Sequence, residues 1–198
     1  MKSKKFLSII YFLIIAHTSM GSSNSIEPDI FVQSTVNRAS EALNDKFSKE
    51  EKIEKLKNIA SETVDIKGIG FYTLGSYRKE ITEDQKKKYE KLFRKYFLKS
   101  FASRLAEYSN PEIEVNSKEK LNENYTMVSS TLVATDQRPE VKINWRIYTK
   151  NPDKPLIRDL IIEGLSLART QKEEFASIIQ SNDGDIKALF TTLEKFIK

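Results

Sequence analysis

An α+β fold, with a four-stranded antiparallel sheet packed on one side by helices, is predicted by the order of hydrophobic periods along the chain. Apolar residues recur at helical spacing from Pro28 to Tyr108, alternate between Ile113 and Ile162, and return to helical spacing from Ser166 onward. Helices, then a run of strands, then helices again is the order of an α+β domain and not of alternating βαβ units. No internal repeat and no Gly- or Pro-rich linker interrupts this order, so residues 24–198 read as one domain.

The first segment is not part of that domain. Lys2, Lys4 and Lys5 precede an apolar run from Phe6 to Ala16, followed by the small and polar residues Thr18, Ser19, Met20, Gly21, Ser22 and Ser23. This is the layout of a secretory signal peptide, expected over residues 1–23 and expected to be removed. Its apolar run is shorter than the about 20 residues that cross a bilayer. The mature chain is therefore expected outside the cytoplasm, in the periplasm.

The first helix starts near Pro28, with Val32, Val36, Ala39 and Leu43 on one face. Ser48 followed by Glu51 is a capping box that opens a second helix, whose apolar face carries Ile53, Leu56 and Ala60. Asp65 to Ser76 reads as a break, because Gly68, Gly70 and Gly75 punctuate Ile69, Phe71, Tyr72 and Leu74. Glycine between apolar residues points to backbone passing close to something, either core or ligand. Thr82 and Gln85 form another capping box, with Glu83 and Asp84 complementing the helix dipole. The long helix they open presents Tyr89, Leu92, Phe93, Tyr96, Phe97, Phe101, Leu105 and Tyr108, six of which are aromatic. Asn110-Pro111 stops it.

Strands follow. Ile113 and Val115 begin an alternation, and Tyr125 to Ala134 is rich in Thr, Val and Ser. Val141, Ile143, Trp145 and Ile147 alternate with Lys142, Asn144, Arg146 and Tyr148, a half-buried antiparallel strand. Asn151 to Pro155 is a turn, and Leu156 to Ile162 returns as the fourth strand. Ser166 caps a helix bearing Phe175, Ile178 and Ile179; Asn182-Asp183-Gly184 turns. The last helix places Ile186, Leu189, Phe190, Leu193, Phe196 and Ile197 on one face.

Composition narrows the chemistry. The chain has no Cys, and its one His is His17, inside the leader. Residues 24–198 thus offer no thiol nucleophile, no His-based triad and no ordinary zinc ligand set. Carboxylates, Lys, Tyr and hydroxyls remain, and no convincing catalytic pair stands out among them. Asp159 and Glu163 share a strand face, yet Glu163 before Gly164 fits a backbone role at the strand-to-helix junction. Loss of the three leader lysines lowers Lys plus Arg from 33 to 30 against 28 acids, so a net +5 becomes +2. That balance and the leader argue against a nucleic-acid partner. No catalytic residue, metal site or cofactor is expected.

Two blocks carry a family resemblance. The stretch DIKGIGFYTLGSYRKEITEDQKKKYEKLFRKYFLKSFASRLAEY, Asp65 to Tyr108, resembles the MlaC family of periplasmic phospholipid-binding proteins, also called the toluene-tolerance (Ttg) auxiliary family. Leu74-Gly75, Asp84-Gln85, and Phe101-Ala102 through Leu105 to Tyr108 match its pattern in order. The second block, LIIEGLSLARTQKEEF from Leu160 to Phe175, resembles its strand-to-helix junction. Arg78 departs from the Trp usual after Tyr77, and Asn151 to Pro155 replaces a Gly-Trp hairpin. The resemblance implies a cystatin- or NTF2-like cone enclosing an apolar lipid cavity. It implies a monomeric carrier, not an enzyme, that shuttles glycerophospholipid between outer and inner membranes and maintains lipid asymmetry. Its implied partners are an inner-membrane ABC transporter with an MCE-domain subunit and an outer-membrane lipoprotein complex.

Given such a cavity, the sheet would contribute Val141, Ile143, Trp145, Ile147, Leu160 and Ile162. Facing them would stand Phe93, Phe97, Phe101 and Leu105 of the aromatic helix, with Phe71 and Leu74 of the glycine segment. Tyr77 and Arg78 are the candidates for a headgroup phosphate. The same residues would equally build the filled core of an ordinary α+β domain, since periodicity does not separate the two. Three other readings stay open: a carrier of another amphiphile such as a hopanoid, sterol or fatty acid, a carboxylate-based hydrolase, and an adaptor with a filled core. A lipid-sized void costs stability, so an empty carrier should be looser than a loaded one.

Overall fold

Capping chemistry sets where the helices begin. The computed structural model describes residues 25–198; the leader expected over residues 1–23 lies outside them. α1 (Pro28–Ala42) starts on a proline, which is pre-set for the first helical turn. α2 (Lys49–Thr63) starts at Ser48, whose hydroxyl accepts from Glu51 N at 3.2 Å while the Glu51 carboxylate accepts from Ser48 N at 2.8 Å. Thr82 and Gln85 make the same reciprocal pair, at 3.2 and 2.8 Å, ahead of α4 (Glu83–Leu105). α5 (Leu167–Gln180) is capped by Ser166 and α6 (Ile186–Ile197) by Asp185. The turn between them uses positive φ at Asp183 and Gly184.

The glycine segment is not the break expected from its composition. It forms α3 (Ile66–Thr73) and then a 3₁₀ turn (Gly75–Lys79). Glycine weakens a helix by about 1 kcal/mol relative to alanine, so tertiary contact must supply the difference. Asp65 caps α3 by accepting from Gly68 N at 2.8 Å. Ile66, Ile69, Gly70 and Thr73 are buried along one face. At Gly70 the missing side chain is the point: a Cβ there would lie 2.7 Å from the Phe93 ring. α3 therefore presses its backbone onto α4, and Gly75, at φ +56°, turns the chain out of it.

The strands form a meander, β1 (Ile113–Asn122), β2 (Tyr125–Leu132), β3 (Val141–Tyr148) and β4 (Leu156–Ile162), all antiparallel. A two-residue β5 (Leu165–Ser166) pairs with β4, so the sheet has five strands where four were expected. The extra one arises because the chain folds back on β4 through Glu163-Gly164, both at positive φ. β2 and β3 pair in register, setting Val128 opposite Trp145, Ser130 opposite Ile143 and Leu132 opposite Val141. On this face Val128, Ser130, Leu132, Ile143 and Trp145 are buried, and Val141 at the start of β3 is half-buried. β4 carries a bulge at Arg158: Ile157 faces Ile147 but Asp159 faces Arg146. Bulges bend a strand and increase its twist.

α4 is the spine. Its 23 residues span about 35 Å at 1.5 Å per residue. Tyr89, Phe93, Phe97 and Phe101 stack in one column at four-residue spacing, with successive ring centroids 5.7, 6.1 and 5.5 Å apart. The column is fully packed at its start, where Tyr89 and Phe93 are 0% and 2% exposed, while Phe97 and Phe101 are only half-buried. α6 packs on α4, with Phe190 against Tyr89 and Phe196 against Tyr96. On another side, the small Ala102 and Ala106 let Ala42, Leu43 and Leu56 of the α1–α2 pair close against α4.

Candidate functional site, an apolar cavity behind the aromatic helix

The half-burial of Phe97 and Phe101 has a cause. Both face a cavity of about 330 Å³ enclosed by the sheet, α4, α5 and the α1–α2 pair. That volume is at the lower end of the about 300–1,000 Å³ common for small-molecule sites. β3 and β4 give it Val141, Ile143, Trp145, Leu160 and Ile162, while α4 gives Phe93, Phe97, Phe101 and Leu105. The sheet and aromatic helix expected to face each other do so across this space.

Five of the residues singled out by sequence stand elsewhere. Ile147 lies further along β3, 0% exposed, packed opposite Ile157 and Thr126. Leu74, at 1% exposure, closes the end of α3 in the packed core. Phe71 lines a separate shallow groove with Lys67, Glu90 and Arg94. The helical turn of α3, in place of a loop, is the reason: it directs Ile69 to the cavity and carries Phe71 and Leu74 around to other neighbours. Tyr77 and Arg78 sit in the 3₁₀ turn and do not line the cavity; Tyr77 packs on the core and Arg78 is exposed.

Other lining residues escaped the sequence reading. α1 supplies Val36 and Ala39, with Leu43 just after its end, and α2 supplies Leu56, Ile59 and Thr63. An amphipathic helix shows the same pattern whether its apolar face meets side chains or a void, so nothing in the sequence distinguished these. Ile113 and Leu132, at the start of β1 and the end of β2, also contribute.

Polar groups on the wall are mostly satisfied. Trp145 donates from Nε1 to Ser130 Oγ at 2.8 Å, so its indole offers the cavity only apolar surface. Asp159, 5% exposed, accepts from Ser166 Oγ at 2.6 Å and from Ala168 N at 3.0 Å, fastening the start of α5 to β4. Glu163 accepts from Lys142 N and returns its own N–H to Lys142 O at 3.0 Å. Asp159 ties β4 to α5 and Glu163 ties the end of β4 to β3, and the two do not converge on one pocket.

A polar seam remains where α4 meets α5. Tyr96, Ser100 and Arg104 lie at four-residue spacing on α4, opposite Thr170, Gln171 and Glu174 on α5, and all six line the cavity. Tyr96 donates to Gln171 Oε1 at 2.9 Å, and Gln171 Nε2 donates to Glu174 at 2.9 Å. Burial raises the Tyr96 phenol above its usual value, Glu174 adds to the rise, and Arg104 opposes it. The polar–apolar boundary is the rim: Tyr108 and Leu167 line the cavity yet are 38% and 40% exposed.

The arrangement can sequester flexible hydrocarbon from water and present a polar group at the seam. Among the described residues no cluster of acids, His or Cys could hold a metal ion, and no helix is long and apolar enough to cross a membrane.

Comparison with known proteins matches this chain, over residues 33–195, to the family model described as MlaC protein. A solved structure of similar fold is that of a phospholipid-binding protein from Ralstonia solanacearum, in complex with a phospholipid. It superposes with a TM-score of 0.72 at 20% sequence identity, covering 87% of this chain and 97% of that one. At that identity the likeness establishes the shared α+β fold.

Proposed function

The chain belongs to the MlaC protein family, and from that premise we propose that it is a periplasmic carrier holding a glycerophospholipid by its acyl chains in the cavity behind α4. It is exported by a cleaved leader over residues 1–23, and residues 24–198 act as one binding domain without catalysis. It exchanges its cargo with an outer-membrane lipoprotein complex and an inner-membrane ABC transporter bearing an MCE-domain subunit, and so maintains outer-membrane lipid asymmetry.

The observation that supports this reading best is the aromatic column of α4, which is packed at Tyr89 and Phe93 and opens onto empty apolar volume at Phe97 and Phe101. A folded core gains nothing by leaving such a space, since a void of this kind forfeits contact energy. A carrier needs it. Two acyl chains hold about 30 methylenes, and each is worth about 0.8 kcal/mol when removed from water. Without shelter they do not cross an aqueous compartment.

The test is to purify the exported protein from a Gram-negative host, extract it with organic solvent, and identify the extract by mass spectrometry. Phospholipid near one equivalent per chain is expected. A hopanoid, sterol or fatty acid in its place would keep the carrier and replace the cargo. Folded protein that yields no amphiphile at all would overturn the reading.

A further inference from the structure

The seam between α4 and α5 contains more than a hydrogen-bonded edge. Among the described residues Arg104 is the one cationic side chain on the cavity lining, and Glu174 is the one lining carboxylate besides the tied Asp159. Both are solvent-exposed on one side. No ion pair among the described residues includes either of them. Other charges on α4 and α5 without an ion pair, such as Lys95 and Lys172, do not line the cavity, whereas Arg104 and Glu174 do. A guanidinium and a carboxylate thus face one cavity from opposite helices without neutralising each other.

Between them stand neutral groups with fixed partners, the Tyr96 hydroxyl and the Gln171 amide. Gln171 links the two sides, accepting from the Tyr96 hydroxyl on α4 and donating to the Glu174 carboxylate on α5, each at 2.9 Å. A ligand whose polar end carries both signs would match such a pair. A guanidinium is well suited to phosphate oxygens, through paired N–H donors, and a carboxylate suits an ammonium.

Resting on the carrier reading above, we propose that this seam is the headgroup site and that it selects zwitterionic phospholipid, with phosphate on Arg104 and the headgroup ammonium on Glu174, over phospholipid of net negative charge. An anionic headgroup that lacks the ammonium would leave Glu174 facing a phosphate, a like-charge contact that costs affinity. Arg78, in the 3₁₀ turn away from the cavity lining, has no part in it.

The experiment loads lipid-stripped protein from vesicles of equal parts phosphatidylethanolamine and phosphatidylglycerol, then measures bound lipid by mass spectrometry. The wild type should enrich phosphatidylethanolamine about threefold over the vesicle ratio, a modest preference fitting a solvent-exposed charge contact. Glu174→Gln should bring the bound ratio back to that of the vesicles. Arg104→Gln should lower total loading at limiting vesicle concentration by about tenfold, as loss of a charge-assisted phosphate contact does. Both positions are exposed, and circular dichroism verifies that the variants fold. Wild-type protein that loads both lipids at the vesicle ratio, with neither substitution changing ratio or amount, would overturn the headgroup assignment and leave the carrier reading standing. Wild-type protein that takes up neither lipid would overturn the carrier reading and the assignment with it.

Discussion

Replacing Ile143 by Phe tests whether the volume behind α4 is open or filled. Ile143 and Ile147 lie on the same face of β3, at 9% and 0% exposure. Ile143 borders the cavity, whereas Ile147 is enclosed by Ile157 and Thr126 on the neighbouring strands. Phenylalanine adds three carbons to isoleucine. At about 0.8 kcal/mol per buried methylene, Ile143→Phe gains at most ~2.4 kcal/mol if the ring enters open apolar space. Rotamer restriction and imperfect fit reduce that to about 1 kcal/mol of added stability. The same change at Ile147 has no space to enter and should cost about 1–3 kcal/mol by overpacking. The two variants should therefore differ by about 2–4 kcal/mol and in sign. Urea unfolding of lipid-free protein reads this as midpoints shifted in opposite directions with unchanged m. Ile143→Phe should also reduce lipid uptake. If both substitutions destabilise alike, the space is not open apolar volume and the reasoning fails.

Two further expectations follow from the buried polar groups. Tyr89 shares its hydroxyl with Thr73 at 2.8 Å, and burial raises its pKa above the usual 10.0. A raised folded pKa gives a contribution fully present below pH 10 that is lost as pH climbs toward the folded value. Tyr89→Phe should therefore cost about 1 kcal/mol at neutral pH through the lost hydrogen bond. Its deficit against wild type should shrink above pH 10 in alkaline unfolding curves, and a constant deficit would show the phenol is not so buried. Ser130→Ala leaves the Trp145 N–H without its acceptor and should cost about 1–3 kcal/mol, with a shift in the emission of the single Trp. Ser129→Ala, on the opposite face of β2, should do neither; equal effects from the two would contradict the assignment.

Capping and alternation were readable because they are local. Ser48–Glu51, Thr82–Gln85 and Ser166 each announce a helix start within four residues, and β3 and β4 declare themselves by alternation and by the turn at Asn151 to Pro155. α3 was not readable, since glycines argue locally against a helix and only the Phe93 ring explains why Gly70 is needed there. From that error came the misplacement of Phe71 and Leu74. The cavity itself was legible only as two apolar surfaces, because whether they touch or stand apart is a tertiary fact. The seam had a faint signal: Ser100 and Arg104 continue the four-residue spacing of Tyr96 directly beside the aromatic column. That α5, itself expected from Ser166, supplies the opposite side of the seam is a tertiary fact.

Trp145 makes the central claim directly measurable, because the chain's only tryptophan lines the cavity with its N–H already satisfied. Protein loaded with phospholipid carrying brominated acyl chains should lose most of its tryptophan emission relative to protein loaded with the unbrominated lipid. Stoichiometric loading with unchanged emission would contradict the account, since the acyl chains would then lie away from the space between the sheet and α4.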